Sequence, residues 1–333
     1  MKVLIDHPFP FLLAHGGQQI QIEETKRALE SIGIEVDWLR WWDESQSADI
    51  IHYFGVPSTS YMDRARAKGL CVVFTHLFSA TCNRSDDKLR LQGLITGTLL
   101  KTPGWGMIKN QLTWKSFQQA EKIIVGLEAE KTALNFGFNV PVDRISVVPL
   151  GLSGPFLGAA PGTRAGKHLI TTGTIYEVKR SVELAKIARE AGVPLLFVGK
   201  PYSEMAPYWR DFQSLIDGET IMHLPHVDDR NEMVSLLGSA RGFVLFSQFE
   251  NWCLSAQEAV ACGLPILIQD QKWSRERFGA GASYLLTNGS IGENATRMKN
   301  FYDNCPQLSA PQITIPSWTD VAKKLAGIYE SLL

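Results

Sequence analysis

An α/β architecture of two consecutive doubly wound domains is predicted by three features of the sequence. Short apolar, β-branched runs alternate with amphipathic stretches from end to end, the pattern of a parallel sheet covered by helices. The alternation is interrupted once, by a Gly-, Pro- and Ala-rich stretch from Ser153 to Gly162, and then restarts. A chain of 333 residues also exceeds what one hydrophobic core ordinarily organises.

In the first half the strands are expected at Val3 to Ile5, Ile50 to Phe54, Cys71 to Thr75, Lys122 to Val125 and Ile145 to Val148. A helical period runs from Gln18 to Ser31 and stops at Gly33. In the second half the strand-like runs are His168 to Thr171, Leu195 to Val198, Thr220 to His223, Gly242 to Phe246 and Pro265 to Ile268. Helices are expected at Ser181 to Ala191, Asp229 to Leu237 and Ser255 to Cys262. The domains are thus expected at 1–152 and 153–318, with the ligand site in the cleft between them. No internal repeat is visible.

Hydrophobic residues are 45% and charged residues 20%, which excludes collagenous, low-complexity and disordered classes. The net charge of -1 provides no global attraction to nucleic acid, so any bound anion must be held locally. Cys71, Cys82, Cys253, Cys262 and Cys305 are odd in number and form no C-x-x-C pair, as expected of a reducing compartment without structural zinc. The apolar run at the N-terminus is cut by Asp6, and no stretch reaches about 18 apolar residues, so neither a secretion signal nor a spanning helix is expected.

The segment Glu250-Asn251-Trp252-Cys253-Leu254-Ser255-Ala256-Gln257-Glu258 follows a strand and opens a helix, and Ala259 to Pro265 continues it through Gly263. Open α/β sheets bind ligands outside the carboxyl ends of their strands, and free amides at a helix start hold phosphate. Ser255-x-x-Glu258 is also the spacing of a capping box, a purely structural alternative. A second loop, Gly173 to Ser181, lies between a strand and a helix. Ser181 suits an N-cap there, which puts Lys179 and Arg180 where the helix dipole disfavours a cation unless an anion lies between.

The Glu-x7-Glu spacing followed by Ala-x-Ala-x-Gly-x-Pro resembles the signature of retaining GT-B glycosyltransferases of family 4, also called glycosyl transferases group 1. The resemblance implies a GT-B fold, two Rossmann-like domains facing a central cleft, with an N-terminal acceptor domain and a C-terminal nucleotide-sugar domain. It implies that Glu250 contacts the donor sugar and Glu258 the ribose, with Asn251, Trp252, Cys253 and Leu254 beside sugar and phosphates. Asn251-Trp252-Cys253 stands where the family has Gly-Phe-Gly. Lys179 matches the second cation of the family's Arg-x4-Lys element, while Thr174 stands in place of the Arg; either Arg180 supplies the charge or the donor is held more weakly. His76 after Thr75 matches the strand-end histidine near the donor sugar. His15-Gly16-Gly17 resembles the glycine turn after the first strand, with Gly16 and Gly17 close to the donor. Base recognition falls to backbone near Gly199-Lys200 and Pro225-His226-Val227. Ser317-Trp318-Thr319-Asp320 resembles the start of a last helix, 319–333, that returns to the first domain.

The expected reaction is sugar transfer from a nucleotide diphosphate donor, a UDP- or GDP-sugar, to a glycan, lipid-linked or small-molecule acceptor, with retention and without a metal or cofactor. The catalytic assignments are His76, Glu250 and Lys179. A nucleotide-sugar epimerase and a degenerate nucleotide-sugar-binding module are the rivals weighed. Neither a metal-dependent Asp-x-Asp site nor G-x-G-x-x-G is found after a strand. Residues 84–122 combine a net charge of +4 with Trp105, Met107, Ile108 and Trp114, the composition of an interfacial or acceptor-binding segment. A cytoplasmic protein, in contact with the inner face of the membrane through that segment, is the corresponding expectation.

Overall fold

The computed structural model describes residues 1–12, 16–76, 80–101, 114–162 and 166–333. The chain divides into two compact units, Met1–Gly151 with Pro316–Leu333, and Leu152–Ile315.

Unit 1 is a six-stranded sheet of β1 (Lys2–Asp6), β2 (Glu35–Trp38), β3 (Ile50–Phe54), β4 (Cys71–Thr75), β5 (Lys122–Val125) and β6 (Ile145–Val147). The order is β2-β1-β3-β4-β5-β6 and each pair is parallel. All five residues of β3 are buried, and His52 is the one strongly polar side chain among them. The order reverses between β1 and β3, a topological switch point where ligands bind in such sheets. The loop after β1 leads to the helix Gly17–Ser31, capped by Gly16 at φ +120°, a conformation that glycine alone adopts without strain. His15 of the same turn lies outside the described residues.

The chain returns to unit 1 through the helix Trp318–Glu330. Ser317 and Asp320 form its capping box, and the helix packs against Gly17–Ser31. Its Tyr329 hydroxyl lies 2.6 Å from His52 Nδ1, and His52 Nε2 lies 2.7 Å from Thr75 Oγ1, so a buried polar chain ties the last helix to β3 and β4. Burial pushes His52 down to about 3 and His76 down to about 4. In the unfolded chain both protonate near pH 6.5, so folding stability is complete above that value and falls as pH drops toward 4. At pH 5 each histidine should cost about 2 kcal/mol, which predicts acid melting of unit 1 by calorimetry. A transition temperature flat from pH 7 to pH 5 would refute this.

Unit 2 repeats the plan with β7 (Leu169–Thr172), β8 (Leu195–Val198), β9 (Ile221–Leu224), β10 (Gly242–Leu245), β11 (Ile266–Gln269) and β12 (Ser283–Leu285). Its order, β12-β11-β10-β7-β8-β9, is again parallel throughout. The reversal falls between β7 and β10, so the loops that leave these two strands are neighbours at their carboxyl ends. The stretch expected as a linker is instead partly folded into unit 2: Gly154–Leu157 is a short helix that buries Phe156. β2 and β12 were not expected from the sequence. Among the described residues no helix is long and apolar enough to cross a membrane.

Candidate nucleotide-sugar site

The two loops singled out in the sequence are those that leave β7 and β10. The first runs from Gly173 through a 3-10 turn, Glu177–Lys179, into the helix Ser181–Ala191. The second runs through Glu250 into the helix Leu254–Ala261. Gln248 N donates to Val178 O at 2.8 Å, which stitches the loops together. Across this seam the Lys179 ammonium donates to Glu250 Oε1. Burial opposes the Lys179 charge, but the Glu250 carboxylate outweighs it and holds the lysine above its usual range.

Beside the pair is a concavity of about 290 Å³, open mouth included, lined by Thr172, Gly173, Thr174, Ile175, Lys179 and Ser181 among others. Its enclosed part is narrow, about the size of one water molecule, and the rest opens to solvent. Lys179 is the one cation in its described lining. Thr172 Oγ1, Ser247 Oγ, Asn251 Oδ1 and Trp252 Nε1 are buried and have no hydrogen-bond partner among the described residues. Buried polar atoms are normally paired, and of these four Thr172 lines the concavity.

Arg180 is turned elsewhere. Its residue is left-handed at φ +52°, its guanidinium sits 4.0 Å from the centroid of the Phe246 ring, and it bonds Glu183 Oε1 and Thr287 O at 3.4 Å each. Arg180 is therefore not among the residues that line the concavity beside Lys179. Ser181 is not the N-cap it was expected to be. Arg180 occupies that position, Ser181 is the first helical residue, and Val182 N donates to Tyr208 Oη at 2.9 Å in place of a cap.

The capping-box alternative for Glu258 fails for a similar reason. The helix begins at Leu254 with Cys253 as its N-cap, so Ser255 and Glu258 sit two positions too far into the helix to form the box. Glu258 instead faces Arg230 Nη1 at 3.5 Å. Burial raises the Glu258 carboxyl and the Arg230 charge opposes that. Arg230 was not foreseen, because nothing in sequence spacing links the start of one helix to the middle of another.

Cys253 adopts φ +55° and ψ +65°. The left-handed region costs a side-chain-bearing residue about 1–2 kcal/mol, and a β-branched residue more. Cys253→Val should therefore lose about 2–3 kcal/mol of stability, whereas Cys253→Gly should stay within about 1 kcal/mol of native. Chemical denaturation of the two variants measures the difference, and a well-tolerated valine would contradict the strained backbone. Trp252, next to it, is buried with Arg277 4.3 Å from its ring centroid. Arg277 also donates to Gln257 Oε1 and Thr314 O, and burial pushes it down to about 10. This arginine was likewise not singled out by sequence. It supports the loop that carries Asn251-Trp252-Cys253.

The remaining expected residues lie at other strand ends. Gly199 follows β8 at φ +155°, and a Cβ there would meet Gly173 O at 2.0 Å. His226 and Val227 follow β9, and the His226 ring lies 3.2 Å from Asp228 Oδ1. His76 follows β4 in unit 1, nearly fully buried, with its backbone N donating to Ile124 O. His76 Nδ1 has no partner among the described residues. Gly16 and Gly17 also belong to unit 1, at its own switch point.

Residues 169–310 match the family described as Glycosyl transferases group 1. Among curated proteins, none matches the chain. Among solved structures, the lipopolysaccharide outer core galactosyltransferase WaaB in its apo form is similar at TM-score 0.63 and 14% identity over 100% of both chains. HepE of Anabaena, in complex with UDP and glucose, is similar at TM-score 0.65 and 12% identity over 99% of both chains. Sucrose-phosphate synthase of Thermosynechococcus elongatus is similar at TM-score 0.65 and 14% identity, over 100% of this chain and 99% of its own. The two parallel six-stranded units thus have the fold of GT-B glycosyltransferases.

Proposed function

We propose that the protein is a retaining GT-B glycosyltransferase of family 4 that moves a sugar from a UDP- or GDP-sugar to a hydroxyl acceptor without a metal ion. The observation that carries this reading is the Lys179–Glu250 pair set across the β7/β10 switch point, beside a concavity that Lys179 and Thr172 line, within the segment that matches the family. HepE holds UDP and glucose on the same fold, which supports a nucleotide sugar as the donor class.

In this mechanism the bond between the sugar's anomeric carbon and the diphosphate oxygen breaks while the acceptor oxygen bonds to the same face of that carbon. The acceptor's proton passes to the departing diphosphate. Lys179 stabilises the charge that develops there, and Glu250 both orients Lys179 and accepts from sugar hydroxyls. Glu258, beside Arg230, is placed to accept from ribose hydroxyls. His76 of unit 1 stays a neutral imidazole at neutral pH, because burial depresses its pKa. Unit 1 binds the acceptor.

The test is thermal-shift titration with UDP, GDP, ADP and their glucose conjugates, followed by product analysis in chelator. One nucleotide should raise the melting temperature, as a ligand specific to the folded state does. Proton NMR should then show a product with the donor's anomeric configuration. No shift with any nucleotide would reject the reading, product without acceptor would make the protein an epimerase, and binding without turnover would make it a binding module.

Contact with a membrane surface belongs to the same proposal. The helix Asp86–Lys101 packs Leu89, Gly93 and Thr96 inward, and leaves Leu91, Leu94 and Ile95 exposed as one stripe bordered by Lys88 and Lys101. Trp105, Met107, Ile108 and Lys109, expected to share this role, lie outside the described residues. Sedimentation with anionic vesicles should carry the protein down, and Leu94→Ser/Ile95→Ser should leave it in the supernatant.

A further inference from the structure

Among the described residues the most exposed large aromatic side chains are Trp42 at 83% and Trp41 at 77%. They stand together in the loop after β2, at the carboxyl edge of the unit 1 sheet. A soluble protein seldom leaves two adjacent indoles in water, and such a patch marks a binding surface. A floppy loop would let the rings collapse onto the fold, but this loop is held open. Arg40 pairs with Asp37 at 2.6 Å and with Asp43 at 2.8 Å. Gln46 accepts from Arg40 N at 2.6 Å and donates to Trp38 O at 2.9 Å. Trp41 Nε1 donates to Asp6 Oδ1 at 3.4 Å, which pins the ring's polar edge at the end of β1 and leaves its face to solvent.

We propose that Trp41 and Trp42 form a platform for a sugar ring of the acceptor, a subsite distinct from the nucleotide-sugar site of unit 2. This rests on the glycosyltransferase reading above. Two observations favour a sugar over a membrane. The segment Glu35 to Asp49 has five carboxylates against one arginine, a net negative charge that repels anionic headgroups. The negative face of an indole attracts the electron-poor C–H face of a pyranose, and a rigid two-torsion side chain presents that face at little entropic cost. The switch point between β1 and β3, where this sheet should bind ligands, adjoins β2 through β1.

The experiment titrates the full chain with maltotriose, cellotriose, chitotriose and mannotriose, read by tryptophan emission and by calorimetry, and compares Trp41→Ala/Trp42→Ala. Both side chains are exposed, so the variant should keep its circular dichroism and its nucleotide-induced thermal shift. At least one trisaccharide should bind saturably, and the double variant should bind it about tenfold more weakly or worse, a ΔΔG of about 1.4 kcal/mol. The proposal is overturned if no trisaccharide binds, if the double variant binds as well as native, or if the tryptophans are needed for vesicle binding instead. A missing nucleotide shift in the native protein would count against the glycosyltransferase reading, whatever the sugars do.

Discussion

Lys179→Met should lower kcat/KM for sugar transfer by about 10²–10³, the usual consequence of removing one donor aimed at developing negative charge. The effect on stability should be smaller and separable. Removing one partner of a fully buried ion pair costs about 3–5 kcal/mol. Here the Lys179 and Glu250 side chains keep 21% and 11% exposure, so solvent screening reduces the loss, to about 1–2 kcal/mol. The double variant Lys179→Met/Glu250→Gln no longer buries an unpaired charge and should recover most of that stability. It should recover none of the turnover, since the cation is still missing. Steady-state kinetics and urea denaturation on the three proteins separate the roles: turnover that returns together with stability would mean that the pair is only a structural clasp between two loops.

Gly199→Ala should cost about 3 kcal/mol and eliminate the nucleotide-induced thermal shift, two effects with one cause. The residue sits at φ +155°, where side-chain-bearing residues are strained, and its new methyl carbon would lie 2.0 Å from Gly173 O and 2.9 Å from Gly173 C. Both obstacles are backbone, so the ends of β7 and β8 would have to separate. Gly173 and Thr174 line the cavity, so that separation reshapes the wall opposite Lys179. For a unit of this size the expected fall in melting temperature is about 6–12 °C. Gly192→Ala is the control: its φ of +61° is also left-handed, but nothing lies within 4 Å of the added carbon. It should cost about 1 kcal/mol and leave the nucleotide response intact. Equal behaviour of the two variants would refute the close approach at Gly199.

Where the sequence pattern was strong, the strands were legible almost to the residue. β3, β4, β5 and β8 lie where their largely apolar runs lie, because a strand buried on both faces takes mostly apolar side chains. β2, which reads Glu35-Val36-Asp37-Trp38, is an edge strand with one fully buried residue, and β12 is three residues long. Neither has enough periodicity to stand out, and both are recognisable only from the strand they pair with.

By itself the sequence determined the α/β class, the two successive sheets, the positions of Lys179 and Glu250 on loops at strand ends, and that of Glu258 in the helix that follows. These follow from local patterns, which any segment expresses without its neighbours. Only the tertiary structure decided which groups meet. It turned Arg180 onto Phe246, joined Lys179 to Glu250, set Arg230 against Glu258, moved the helix caps off Ser181 and Ser255, and held Trp41 and Trp42 out on a clamped loop. The physical reason is that a strand order is a long-range property. Placing β10 beside β7 brings together loops some 70 residues apart, and no spacing rule within a single helix or turn reaches that far.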